Sequence, residues 1–174
     1  MKELGESASW SADWLWSVPL IALTVTFHVW VLEFVYRVVV AIYRAQRNER
    51  RLTSMLAGGL VVAFTTLATL VHGMEGAFWA AAYIVLGALP DPRSAMLYSL
   101  NAVTSYGHAD IHLADQWRLM GALEALNGIL LFGLTTAFMF RLIGHFSFAG
   151  GEADRLAGIA PTGAPKRGDQ PGSN

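Results

Sequence analysis

Residues 104–111 read Thr104-Ser105-Tyr106-Gly107-His108-Ala109-Asp110-Ile111. A helix-compatible run over 94–103 leads into this stretch, and a long apolar helix begins just after it at Trp117-Arg118. The order is short helix, polar loop, membrane helix. A polar, glycine-containing loop at membrane depth is tolerated only where protein buries it or where it lines a water-filled path. The arrangement points to a pore.

The rest of the chain has the composition of a membrane protein. Of 174 residues, 54% are hydrophobic and only 14% charged, against about 25% charged in an average soluble domain. The net charge of −1 gives no reason to expect a nucleic-acid partner. There is no cysteine, which excludes disulfides, thiol catalysis, cysteine-ligated metals and iron–sulfur chemistry. No catalytic nucleophile or phosphate loop is visible, so no enzyme is expected. Residues 1–14 are acidic and polar and lack a basic signal-peptide start. They are expected to form an extracytoplasmic N-terminus, with the first apolar segment retained as an anchor.

Three apolar stretches each exceed the ~20 residues a span requires. The first, 15–43, is an additional N-terminal transmembrane helix, expected on the periphery. Trp10, Trp14 and Trp16 form an aromatic belt at its outer end. Glu33 and Arg37 sit four residues apart near its inner end and can pair. A basic loop, 44–51, follows. The second stretch, 52–89, is too long for one span, since an unbroken helix would reach roughly 55 Å. His72-Gly73-Met74-Glu75-Gly76 offers a break, because two glycines weaken the helix. The reading is a span over 52–71 and a separate short outer helix over 77–89, stopped by Pro90-Asp91-Pro92. Pro92 can open the next helix, 93–103. The third span covers 117–143. Residues 147–174, rich in Gly, Pro and Ala, are expected to be a disordered tail.

Charge sets the orientation. Arg44, Arg47, Arg50 and Arg51 lie between the first two spans, and Arg141, Arg155, Lys166 and Arg167 follow the third. The positive-inside rule makes both regions cytoplasmic. The chain is then a multi-pass protein of the inner (plasma) membrane, with its N-terminus outside and the 94–114 segment entering from outside.

From residue 77 to residue 140 the chain resembles the pore domain of the potassium-channel superfamily. It is most similar to small bacterial channels with a T-T-x-G-Y-G-D-I loop followed by R-L-L-x-x-L-E-A-L-x-G. The corresponding residues here are 104–111 and Arg118-Leu119-Met120-Gly121-Ala122-Leu123-Glu124-Ala125-Leu126-Asn127-Gly128. The resemblance implies a pore domain over 52–146. It also implies a re-entrant pore helix over 93–103, a filter-like loop over 104–110 and a homotetramer around one axis. The fold class is an all-α membrane protein, and the implied function is a cation channel whose only partners are its own copies and lipid. No cofactor is expected beyond a permeant K⁺ or Na⁺, and no soluble ligand.

The implied filter residues are Thr104, Ser105, Tyr106, Gly107, His108, Ala109 and Asp110. Thr104 and Ser105 match the two threonines and Gly107 the first filter glycine. His108 replaces the tyrosine and Ala109 the second glycine. A second register places Tyr106-Gly107 at the Y-G of the signature and strands Asp110-Ile111. Potassium filters present inward rings of backbone carbonyls. Glycines hold those conformations at low cost, and alanine holds them only with strain. Weak or atypical cation selectivity is the expectation, with acidification lowering current through His108. The alternative is a non-conducting, channel-like interaction or regulatory subunit that kept the fold and lost the filter.

Other polar residues carry two readings each. Glu124 either reaches the pore or bonds the back of the pore helix and supports the filter. Asn127 either faces the cavity or joins helices. His72 and Glu75 form a candidate polar hinge, pH sensor or divalent-ion pair, although two ligands are too few for a tight metal site. His28 and His72 on separate spans invite a small haem-binding reading, but the charge-derived topology places them at different depths. Asp110 and Asp115 are candidates for a negative ring at the outer mouth. Gly128 and Gly133 permit either close helix packing or bending.

Overall fold

The computed structural model describes residues 2–45, 50–107 and 111–158. It is all-helical, with no strand among the described residues. Four α-helices follow in order: α1 (Lys2–Ala45), α2 (Arg50–Val85), α3 (Pro92–Val103) and α4 (Arg118–Gly158). A 3-10 turn, Asp115–Trp117, leads into α4. Among the described residues, three segments are long and apolar enough to cross a membrane: Trp10–Ile42, Gly58–Val85 and Asp115–Gly144. The chain is therefore read as a multi-pass membrane protein.

Several boundaries differ from the sequence reading. α1 is already helical from Lys2, so residues 2–14 continue the helix that carries the first span, Trp10–Ile42. α2 runs 36 residues without interruption through His72-Gly73-Met74-Glu75-Gly76. The expected break there, and the separate helix over 77–89, are absent. Each glycine costs the helix only about 1 kcal/mol, and packing outweighs that. Gly76 lies against α3, where a Cβ would meet Ser99 Oγ at 3.3 Å. α2 instead ends two residues before Gly87, which takes φ +64°. The Gly87 N–H donates to Ile84 O at 3.1 Å and the Ala88 N–H to Tyr83 O at 2.8 Å. This is the Schellman closure, which favours glycine at the left-handed position. α4 continues to Gly158, into the region expected to be disordered. Glu152-Ala153-Asp154-Arg155-Leu156-Ala157 contains enough good helix formers to prolong it. Residues 46–49 and 159–174 lie outside the described residues.

α3 is held at both ends by local chemistry. Asp91 is its N-cap, accepting from the Ser94 N–H at 3.0 Å, and Pro92 occupies the first turn. That hydrogen bond holds the Asp91 carboxyl below its usual range. Thr104 caps the other end by donating its hydroxyl to Leu100 O at 2.7 Å. Around α3 lies one apolar cluster: Trp79, Tyr83, Leu89, Ala95, Tyr98, Ala102, Leu113 and Met120. Leu113 reaches it because the Ala114 N–H donates back to Ala88 O. A second cluster, at the opposite end of the bundle, joins Val35, Val39, Phe64, Phe138 and Leu142. There Phe64 stacks on Phe138 at 5.3 Å, and the Arg141 guanidinium sits 4.2 Å over the Tyr36 ring.

α1 packs on the other helices through one face. It turns Asp13, Ser17, Thr24, His28, Val35 and Val39 into the bundle, all of them buried. Its opposite face carries Trp10, Trp14, Trp16, Trp30 and Phe34, all exposed. The Glu33–Arg37 pair forms at 3.0 Å on the surface, where such pairs contribute little.

Candidate functional site

Two gatherings of polar residues stand out among the described residues: the α3 loop with its anchor, and a histidine–carboxylate ring. The loop begins where α3 stops. The Ser105 N–H donates to Ala102 O and the Tyr106 N–H to Asn101 O. Ser105 and Gly107 have φ of +55° and +93°. A serine in the left-handed region costs about 1–2 kcal/mol, so the turn is imposed by its surroundings. Tyr106 projects outward at 86% exposure. The Thr104 hydroxyl is committed to capping α3. His108, Ala109 and Asp110 lie outside the described residues. Asp115 pairs with Arg118 at 2.9 Å, on the exposed side of the turn.

The anchor of α3 is Glu124, fully buried on α4. The Tyr83 hydroxyl donates to its Oε2 at 2.5 Å. Its Oε1 is in very short contact with the Ser99 hydroxyl on α3. Ser99 Oγ is also 2.6 Å from Gly76 O on α2. Ser99 has one proton for two acceptors. Both contacts are satisfied together when Glu124 carries its proton and donates to Ser99, which then donates to Gly76. Three elements are thereby joined at one carboxyl. Tyr98 stacks edge-on to Tyr83 at 5.4 Å. Its phenol is pushed up to about 12, chiefly by burial and secondarily by Glu124, so it stays protonated across the physiological range.

Asn127, one turn further along α4, does not support α3. Its Nδ2 donates to Thr24 Oγ1 on α1 at 2.8 Å, and its Oδ1 is buried without a partner. Gly128 stands next to it and explains how α3 and α4 approach. A Cβ there would lie 2.2 Å from Val103 O. Gly133 has nothing within 4 Å. Of the two readings for these glycines, Gly128 serves close packing.

The second gathering overturns the depth argument about the histidines. His28 on α1 and His72 on α2 face each other with ring centroids 5.2 Å apart. Glu75 lies between them. Its Oε1 is hydrogen-bonded to His28 Nδ1 at 2.8 Å and its Oε2 to His72 Nδ1 at 2.9 Å. Thr135 Oγ1 on α4 is 3.1 Å from each Nε2, and Phe132 stacks on His72 at 4.2 Å. His72 and Glu75 are thus not a hinge in a bent helix but part of a closed ring across three spans. With both imidazoles bonded to one carboxylate, no gap remains between them for a porphyrin. Thr24, Tyr83, Ser99 and Thr135 were not singled out from sequence. The polar positions 13, 17, 24 and 28 fall at spacings of four, seven and four, which places them on one helical face. That stripe was the available signal.

No family model, curated protein or solved structure matches this chain.

Proposed function

We propose that four copies of this chain form a cation channel with an atypical filter, in which α3 is a re-entrant pore helix and residues 104–110 form the filter loop. The observation that carries the reading is the setting of α3. This short helix is wedged between two span-length helices, tied at Glu124, and ends in a loop with two left-handed residues. The carbonyl end of a helix bears partial negative charge, and α3 directs that end toward the loop. One loop supplies a quarter of a closed ring, so the function requires a symmetric tetramer. Replacement of the tyrosine and second glycine by His108 and Ala109 leads to weak selectivity among monovalent cations. Asp110, which directly follows these two in sequence, leads to rejection of anions.

Reconstitution into liposomes tests this directly. K⁺ and Na⁺ fluxes should be within a few-fold of each other and Cl⁻ flux should be absent, while native mass spectrometry in detergent should give a tetramer. A dominant monomer or dimer would sink the pore. A tetramer without flux would instead favour the non-conducting, channel-like subunit.

The orientation that fits this reading places the chain in the inner (plasma) membrane, with the N-terminus outside and the 44–51 loop and C-terminus in the cytoplasm. Single cysteines at Ser7 and Asn48, treated with an impermeant thiol reagent in intact cells, should label at Ser7 only. Labelling at Asn48 alone inverts the topology.

A further inference from the structure

His28, His72 and Glu75 are buried with their ligating atoms all within 4.8 Å of one another, and the conduction path proposed above does not use them. An ionised carboxylate only accepts hydrogen bonds. Glu75 therefore places a hydrogen on both Nδ1 atoms, at 2.8 and 2.9 Å. In neutral imidazoles, each Nε2 is then a bare lone pair. Both lone pairs converge on Thr135 Oγ1, 3.1 Å from each. Thr135 has one proton and a third acceptor beside it, Leu131 O at 3.0 Å. At least one Nε2 is left facing oxygen with no hydrogen between. Ionised, Glu75 also carries a negative charge in apolar surroundings, where an uncompensated charge is costly. A cation between the Nε2 atoms meets both deficits.

We propose that His28 and His72 bind a divalent transition-metal ion of the zinc class through Nε2, with Thr135 Oγ1 as the oxygen partner and Glu75 orienting both rings. Imidazole nitrogen is a favoured donor for such ions. Ligating histidines commonly donate their other N–H to a carboxylate, which fixes tautomer and ring angle. Glu75 performs that task for two rings at once and offsets one of the two metal charges. Tetrahedral ligands at zinc distances lie about 3.3 Å apart, within a few tenths of the 3.1 Å from Thr135 Oγ1 to each Nε2. His72 and Glu75, too few alone, are joined by His28, which lies 47 residues before Glu75, and by Thr135. The ion would tie α1, α2 and α4 together, whether or not the protein conducts.

The test uses the full chain in detergent, purified without a histidine tag, stripped with chelator and dialysed against zinc. Elemental analysis should find one zinc retained per chain. Glu75→Gln should weaken retention by about 10–100-fold, and His28→Gln or His72→Gln by more. His112→Gln, at an exposed position, should leave it unchanged. Zinc-edge X-ray absorption on the unaltered protein needs no variant to fold, and should show scattering from two imidazoles. Wild-type protein that retains no zinc overturns the proposal and leaves a proton as the cation of the ring. Retention that persists in a His28→Gln/His72→Gln double variant, or a spectrum without imidazole, overturns it equally.

Discussion

Gly128→Val should unseat α3 from α4 and give the largest loss of stability of any single substitution in the bundle. Even the first carbon of a new side chain would lie 2.2 Å from Val103 O and 2.8 Å from Val103 C and Cα. These are backbone atoms at the end of α3, and they cannot rotate aside as a side chain does. The helices must separate by roughly 1 Å. Overpacking of this kind costs about 1–3 kcal/mol, and more where backbone must move. Gly128→Ala already introduces the clash, and valine adds two methyl groups to it. Gly133→Ala is the contrast, with no atom within 4 Å; it should be neutral within the chain. Thermal or denaturant unfolding in detergent measures both. Equal stability of the Gly128→Ala protein and wild type would mean that α3 and α4 do not cross at this point. If Gly133→Ala weakened assembly while sparing the chain's own stability, Gly133 would face a neighbouring copy.

Glu124→Leu should be nearly as damaging, for a different reason. It strands the Tyr83 hydroxyl and one contact of the Ser99 hydroxyl inside the bundle. The Tyr83 hydroxyl, left buried without its partner, costs about 1–3 kcal/mol, and the Ser99 hydroxyl, which keeps Gly76 O, adds less. Glu124→Gln is the informative companion. A neutral, protonated Glu124 donates to Ser99 and accepts from Tyr83, and a glutamine amide can do both. Glutamine should therefore recover most of the stability that leucine loses. If glutamine proves as harmful as leucine, the carboxyl is ionised and the proton count around Ser99 is wrong. The readout is again unfolding in detergent, joined by cation flux if the tetramer conducts, because Glu124 is tied directly to the helix that presents the loop.

Much of the architecture is legible from local sequence. Three apolar stretches of sufficient length dictate three spans, because burying backbone polar groups in lipid leaves few alternatives to a helix. Asp91-Pro92 marks the start of α3, because an N-cap and a first-turn proline act within one turn. The miss at His72–Gly76 shows the limit of such reasoning. Two glycines lower helix propensity by a small amount, and that signal is blind to Ser99 waiting on another helix to use the space. The end of α2 was misplaced for a related reason: Pro90 is a conspicuous stop, but the left-handed turn at Gly87 closes the helix first.

The candidate site divides the same way. Residues 104–107 and Glu124 stand out in the primary structure as polar groups in apolar surroundings, which is costly enough to demand a reason. Their partners do not stand out. His28 and Glu75 are 47 residues apart, and Asn127 and Thr24 are 103 apart. Charge patterning placed His28 and His72 at different depths because it counts residues from the ends of spans and assumes that each span starts level. α1 and α2 run well beyond a membrane's thickness, so each is free to slide along its axis. Length and hydropathy determine that a helix crosses; the rotation and axial offset that bring four polar groups to one point are set by the whole contact between helices. That contact joins residues far apart in the chain, and only the folded arrangement decides it.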